Sequence, residues 1–224
     1  MSSEARSQIL RSLKSALATA EPPAPTGDRA VLKPAQGNWA EAAAALTGLG
    51  DHLEVVGDAA ALWEHLAALL ARHQVSRVVY AEHPLLTALD LPAWLAAQGL
   101  EAQPADPSTP QGRDFVAGAD LGITAAEALF SDSGTLVLRA GPGRARATSL
   151  LPPLHLALVT REQVGPTQDA LSVLLRTWQK EEGDLPSGVI LITGHSRTAD
   201  IELILVSGVH GPGRLEVVGL DFSP

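Results

Sequence analysis

The segment Gly194-His195-Ser196-Arg197-Thr198-Ala199-Asp200 places a glycine, an imidazole, two hydroxyls, a guanidinium and a carboxylate within seven positions. It follows the apolar run Val189 to Ile192, which reads as a strand, and opens a segment to Val206 that reads as a helix. Glycine lets a backbone approach a ligand closely, and the first turn of a helix leaves N–H groups without intrahelical partners. With the Ser196 and Thr198 hydroxyls, those N–H groups could hold a carboxylate or a phosphate, and Arg197 could add a bidentate clamp. Asp200 would then orient Arg197 or the turn. A plainer role is open for the same residues: Ser196 or Thr198 caps the helix and Asp200 complements its dipole. The two roles are compatible. No Gly-Lys-Ser/Thr ending follows, so this is not a Walker loop.

A second polar loop, Ser207-Gly208-Val209-His210-Gly211-Pro212-Gly213, comes directly after that predicted helix. Gly208 suits the left-handed residue that ends a helix. His210 lies on a loop between backbone-permissive residues, where it is either structural or an acid/base group or ligand contact. A helix of about nine residues is about 14 Å long, so the two loops are expected not to meet at one site unless another subunit or a bend intervenes. A third segment runs from Gly122 to Leu136. Thr124 and Glu127 have capping-box spacing, which predicts a helix over Ala125 to Phe130 that Gly134 ends. Ser131, Asp132, Ser133 and Thr135 cluster oxygens beyond what a turn needs. Ser133, Gly134 and Thr135 would line a wall opposite Ser196 to Thr198 if their strands were neighbours. Arg144 and Arg146, in a Gly/Pro loop, are either solvated surface or an anion gate.

Other chemistries lack their signatures. The histidines at 52, 65, 73 and 83 are scattered, and no His-x-x-x-His pair suggests zinc. There is no Gly-x-Ser-x-Gly elbow and no Gly-x-Gly-x-x-Gly after a strand. No metal site is expected.

These loops need elements to hold them. Asp58 should cap a helix to His73 whose buried stripe is Leu62, Leu66, Leu69 and Leu70. Ala40 to Leu49 reads as helix. Leu85 to Ala97 reads as helix interrupted near Pro92, and Gln103 to Gly112 as a Pro-rich loop. Strands read at Leu53 to Val56, Arg77 to Ala81, Leu121 to Thr124, Thr135 to Arg139, His155 to Val159 and Leu215 to Leu220. A helix over Thr167 to Lys180 separates two of them. Several of the strands are apolar without strict alternation, as strands covered on both faces should be. The alternation predicts an α/β fold, a mostly parallel sheet flanked by helices. Ahead of it, Ile9, Leu10, Leu13, Ala16 and Leu17 make one stripe of an N-terminal helix, and Pro22, Pro23, Pro25 and Pro34 mark an extended arm. The expected division is residues 1–37 for helix and Pro-rich arm, and 38–224 for the α/β domain. The helix docks on its own domain or on another subunit.

Composition excludes whole classes. The 224 residues carry 16 Lys+Arg against 25 Asp+Glu, a net charge of −9, and no Lys/Arg run, so no nucleic-acid or membrane partner is expected. Hydrophobic residues at 46% against 18% charged argue for a globular chain. With no cysteine, disulfides, thiolate nucleophiles and clusters held by this chain's own thiolates are excluded. The longest uncharged run, Ala147 to Thr160, is too short to span a bilayer and contains Pro152 and Pro153. Charges at Glu4, Arg6, Arg11 and Lys14 leave no signal-peptide core, and a cytoplasmic setting is the expectation.

Together, Gly122-Ile123-Thr124 through Thr135-Leu136, Leu150-Leu151-Pro152 with His155, Ser196-Arg197-Thr198-Ala199-Asp200-Ile201-Glu202, and Gly208-Val209-His210-Gly211-Pro212 resemble the LUD-domain family, in its lactate-utilization protein C group. The likeness spans roughly the last hundred residues in the family's order; the first half matches in pattern only. His195 stands where the family commonly has proline, and Ser131-Asp132-Ser133 where it commonly has Ala-Glu-Thr or similar. The resemblance implies a NagB/RpiA/CoA-transferase-like α/β domain. It implies an accessory role in oxidising L-lactate to pyruvate beside partner subunits that carry iron–sulfur clusters, with no cofactor on this chain and a small anionic metabolite as ligand. A stand-alone isomerase, transferase or ligase acting on a phosphorylated or CoA-linked substrate is the alternative, and a scaffolding module the third.

Overall fold

The structure is a computed structural model. It describes residues 3–19, 37–167, 170–182, 185–199 and 205–224. The chain divides into two compact units, Met1–Leu32 and Lys33–Pro224. The first holds α1 (Ser3–Thr19), on which Ile9 and Leu10 are exposed.

The second unit runs in chain order through α2 (Trp39–Gly48), β1 (His52–Val56), α3 (Ala59–His73), β2 (Arg77–Tyr80), α4 (Pro84–Ala88), α5 (Leu91–Ala97), β3 (Glu101–Pro104), α6 (Pro110–Ala117), β4 (Leu121–Ala125), β5 (Ala128–Phe130) and β6 (Thr135–Ala140). It continues through α7 (Ala147–Leu150), β7 (Leu154–Thr160), β8 (Val164–Gly165), α8 (Ala170–Glu182), β9 (Gly188–Ile192), β10 (Arg197–Ala199), β11 (Leu205–Ser207) and β12 (Arg214–Leu220). Asp58 caps α3 by accepting the Ala61 N–H at 2.9 Å, and the four leucines of the expected stripe are buried. The break near Pro92 falls at Asp90, a left-handed residue with φ 51°, with the proline in the first turn of α5.

Six strands form a wholly parallel sheet in the order β1-β12-β7-β4-β2-β3, the α/β core that the apolar strand pattern predicts. Alternation along the strands gives it two apolar faces. Leu121 and Ile123 of β4, Leu156 and Leu158 of β7 and Val218 of β12 face the leucines of α3, α4 and α5. Ala157, Val159, Leu215 and Val217 point the other way, onto α2 and a second sheet. That second sheet, β8-β5-β6-β9, is antiparallel across β5, β6 and β9. Leu136 and Leu138 of β6 meet the parallel sheet, while Val137 faces Trp178 and its neighbours on α8. No helix among the described residues is long and apolar enough to cross a membrane.

Three local expectations are overturned. Ala125 to Phe130 is not a helix: it holds the end of β4 and the strand β5, and Gly134, at φ 66°, turns β5 into β6. Ala128, Leu129 and Phe130 are buried on both sides, between the parallel sheet and α8, which a short helix with one polar face could not satisfy. The described parts of Thr198 to Val206 are not helical either: they lie in the strands β10 and β11. Thr198 pairs with Val206 and Arg197 with Ser207 in the antiparallel hairpin β10–β11; Thr198 and Val206 are β-branched types that favour strands. The Pro-rich loop over Gln103 to Gly112 contains the end of edge strand β3 and the start of α6. Proline is tolerated at that edge, and Pro110 initiates the helix, capped by Thr109 accepting the Gly112 N–H at 3.0 Å.

Gly122 fixes how closely α7 lies on β4. A Cβ there would stand 1.9 Å from the Thr148 carbonyl oxygen. Gly122→Ala is therefore expected to lower stability by about 2 kcal/mol or more, read as a reduced midpoint in chemical denaturation with an unchanged slope.

Candidate functional site

A cleft of about 300 Å³ opens between the two sheets where their apolar packing stops. One wall is the end of β9, from Ile190 to Ile192, continuing through Thr193 and Gly194 to Arg197. The other is built from Ser149 and Leu150 of α7, His155 of β7 and Leu215 of β12. His210, Gly211 and Pro212 close one end. The cleft thus lies at the carboxyl end of β9 but at the amino ends of β7 and β12.

His155 is 1% exposed, at a position otherwise taken by apolar residues on that face. Its Nε2 pairs with the Thr124 hydroxyl at 2.8 Å. Burial pushes its pKa down to about 4, so at neutral pH it lines the cleft as an uncharged imidazole. Across the cleft the backbone is held by Asp51, in the turn before β1. Its Oδ2 accepts the His195 N–H at 2.9 Å, and its Oδ1 pairs with His195 Nδ1 at 2.8 Å.

The hairpin brings together the two loops that a helix would have kept apart. Ser196 N–H donates to the Pro212 carbonyl at 2.9 Å, Gly208 N–H donates to the Ser196 carbonyl at 3.0 Å, and His210 N–H reaches Ser196 Oγ at 3.3 Å. Gly208, at φ 83°, ends β11 rather than a helix. The same bonds overturn the expected cradle of free amides. Among the described residues no helix starts here, and the N–H groups of His195 and Ser196 already serve Asp51 and Pro212.

Gly194, Ser196 and Arg197 do line the cleft, with His210 beside them. The backbone of Thr198 lies in β10, and Asp200 falls outside the described residues. Ser133, Gly134 and Thr135 are not in the opposite wall. Their strand does neighbour β9, but Ser133 Oγ bonds Thr135 Oγ1 and Thr135 Oγ1 bonds Thr193 Oγ1 at 2.8 Å, behind the lining. Gly134 packs against Leu46, and Ser131 donates to Glu41 at 2.7 Å.

A second polar cluster went unread in the sequence. Glu127, taken there for a capping partner, is paired with Arg144 and stands 3.7 Å from His83 Nε2. His83 Nδ1 meanwhile accepts the Leu85 N–H and caps α4. Arg144, read in the sequence as either solvated surface or an anion gate, is mostly covered and also donates to the Glu82 carbonyl. The cluster sits beyond the carboxyl ends of β2 and β4, and Ser149 and Ile190 line both it and the cleft. Burial alone would push the Glu127 carboxyl up. The imidazole of His83 and the charges of Arg144 and Arg139 outweigh burial and hold it below the ordinary carboxylate value. One signal was available: Glu127 is the only charge in the run Leu121 to Phe130, and a lone acid in a buried run needs a cation.

A parallel α/β sheet backed by a smaller antiparallel one, with a ligand-sized cleft between them, defines the class of protein. The LUD-domain family matches residues 40–219, and the chain belongs to that family. It is 34% identical to "Lactate utilization protein C" of Exiguobacterium sp. over 162 residues, 72% of this chain and 68% of that protein. The protein of the same name from Halalkalibacterium halodurans is 41% identical over 96 residues, covering 43% of this chain and 42% of that one. Among solved structures, a DUF162 family protein from Deinococcus radiodurans superposes with a TM-score of 0.57 at 21% identity, covering 81% of this chain and 95% of its own, a likeness of fold.

Two measurements probe these groups. The unfolded chain protonates a histidine near pH 6.5 and folded His155 does so near pH 4. Between those values the unfolded state binds more protons, so stability falls as pH falls, by about 3 kcal/mol from this group. His155→Gln should flatten that part of the stability–pH curve measured by denaturant titration. For Glu127, Arg144→Met leaves the burial and removes the cation, so the carboxyl should titrate at higher pH by NMR.

Proposed function

We propose that this chain is an accessory component of a lactate-utilisation system and binds a small carboxylate in the inter-sheet cleft. The observation that carries the reading is the chemistry of the lining: His155, His195, His210 and Arg197 with no aspartate or glutamate among the described lining residues. Such a wall favours an anion with hydrogen-bond acceptors, and a volume of about 300 Å³ accommodates a three-carbon acid with its hydration. Arg197 supplies the charged fork for the carboxylate. The names of the relatives point to the same metabolite class. In this reading the anion site keeps Gly194, Ser196 and Arg197 from the sequence expectation, with His210 as a further contact, but works through side chains rather than free amides.

In the same reading the protein is cytoplasmic and acts beside partner subunits that bear iron–sulfur clusters. The sequence contains no cysteine, so any thiolate-held cluster lies on a partner and electrons from lactate leave through it. The exposed Ile9 and Leu10 on α1 support a docking role for the N-terminal segment, residues 1–37.

Calorimetry with L-lactate and pyruvate tests the site. Arg197→Ala should weaken binding at least tenfold without lowering the melting temperature. Equal affinity in the variant would rule out this carboxylate site.

A further inference from the structure

The grip of Asp51 on His195 exceeds what anchoring a loop requires. One carboxylate oxygen on the His195 N–H would hold the backbone; the second oxygen holds the ring as well. The Asp51 side chain is 2% exposed and that of His195 16%. The approach depends on Gly194: its φ is 84°, and a Cβ there would stand 2.9 Å from Asp51 Oδ2. Asp51 and His195 are 144 positions apart, so the contact exists only in the folded chain.

The pairing sets the tautomer. An ionised carboxylate only accepts, so the proton of a neutral His195 ring sits on Nδ1. Nε2 then carries a lone pair, and it has no hydrogen-bond partner among the described residues. His195 lines the cleft together with Arg197. An acceptor nitrogen and a guanidinium contributed by two residues lining one cleft suit a ligand with a hydroxyl next to its carboxylate.

Resting on the reading above, that the cleft takes a small carboxylate, we propose that His195 reads the hydroxyl of a 2-hydroxy acid through Nε2, with Asp51 as the positioning residue that keeps Nε2 an acceptor. The carboxylate goes to Arg197. A 2-deoxy acid leaves Nε2 unpaired, and a 2-oxo acid presents it with a second acceptor, so both bind less well.

The test is calorimetry on the full chain with L-lactate, propionate and pyruvate. Propionate has the same three-carbon skeleton without the hydroxyl. The native protein should prefer lactate to propionate by about tenfold. In His195→Phe that ratio should fall below twofold. In Asp51→Asn the amide must turn its oxygen to the His195 N–H and its NH2 to Nδ1. The ring proton then moves to Nε2, which becomes a donor, and the preference for lactate over pyruvate should drop about tenfold. A general loosening of the cleft weakens all three acids together and leaves the ratios intact. Thermal melting identifies which variants fold, and either variant alone decides the matter. Equal binding of lactate and propionate by the native protein overturns the dyad while leaving the carboxylate site standing, as does a ratio that survives in a folded variant. No binding of any of the three acids overturns the site itself, and the dyad's role with it.

Discussion

The six-stranded parallel sheet is apolar on both faces, and both must be shielded from water. Helices α3, α4 and α5 shield one. The other is shielded mainly by an antiparallel sheet with α2 beside it, and that sheet needs α8 behind it. Burial of this kind is worth roughly 25 cal/mol per Å² of apolar surface, and it dictates the order of layers. The cleft is a consequence. Along β7 the inward positions on that face run His155, Ala157, Val159. Where an imidazole replaces an aliphatic chain, close packing of the two sheets ends and a space remains.

What occupies the rim of that space is decided by long-range polar contacts. Asp51 reaches the loop after β9, and the Pro212 carbonyl takes the Ser196 amide. These bonds consume the backbone donors, so the chemistry left to the cleft is that of side chains. On the far side of Ser149 and Ile190, Glu127 and Arg144 neutralise each other under the loop that follows β6. The Arg144 side chain also binds the backbone at Glu82. That loop is therefore fastened to the carboxyl edge of the parallel sheet by a guanidinium serving two acceptors, and the acidic group beneath it stays charged despite its burial.

Elements with one dominant local signal were legible from residues alone. The Asp58 cap and leucine stripe of α3, the apolar runs of β4, β7 and β12, and the break at Pro92 belong to this group. Misreadings arose where a local rule competed with a tertiary one. Thr124 and Glu127 have capping-box spacing, yet each is claimed by a partner far along the chain, His155 and Arg144. Pro104 and Pro110 look like loop punctuation, yet one ends an edge strand and the other starts a helix. For the site, Gly194, Ser196, Arg197 and His210 were singled out by residue type. Asp51 and His155 were given no site role, because nothing near them in sequence reveals what they touch, and Glu127 offered only its isolation as a lone charge in an apolar run.

Residue order alone determined the α/β class, the strands buried on both faces, the acidic charge, and the absence of any thiolate to hold a cluster. These depend on composition and on short-range periodicity. Tertiary structure alone decided that a four-stranded sheet backs the parallel one, that β10 and β11 pair antiparallel, and that loops separated by a stretch of chain share one cleft. The physical reason is that a segment apolar enough for either strand or helix takes the form its neighbours can pack against. Those neighbours are assembled from distant parts of the chain.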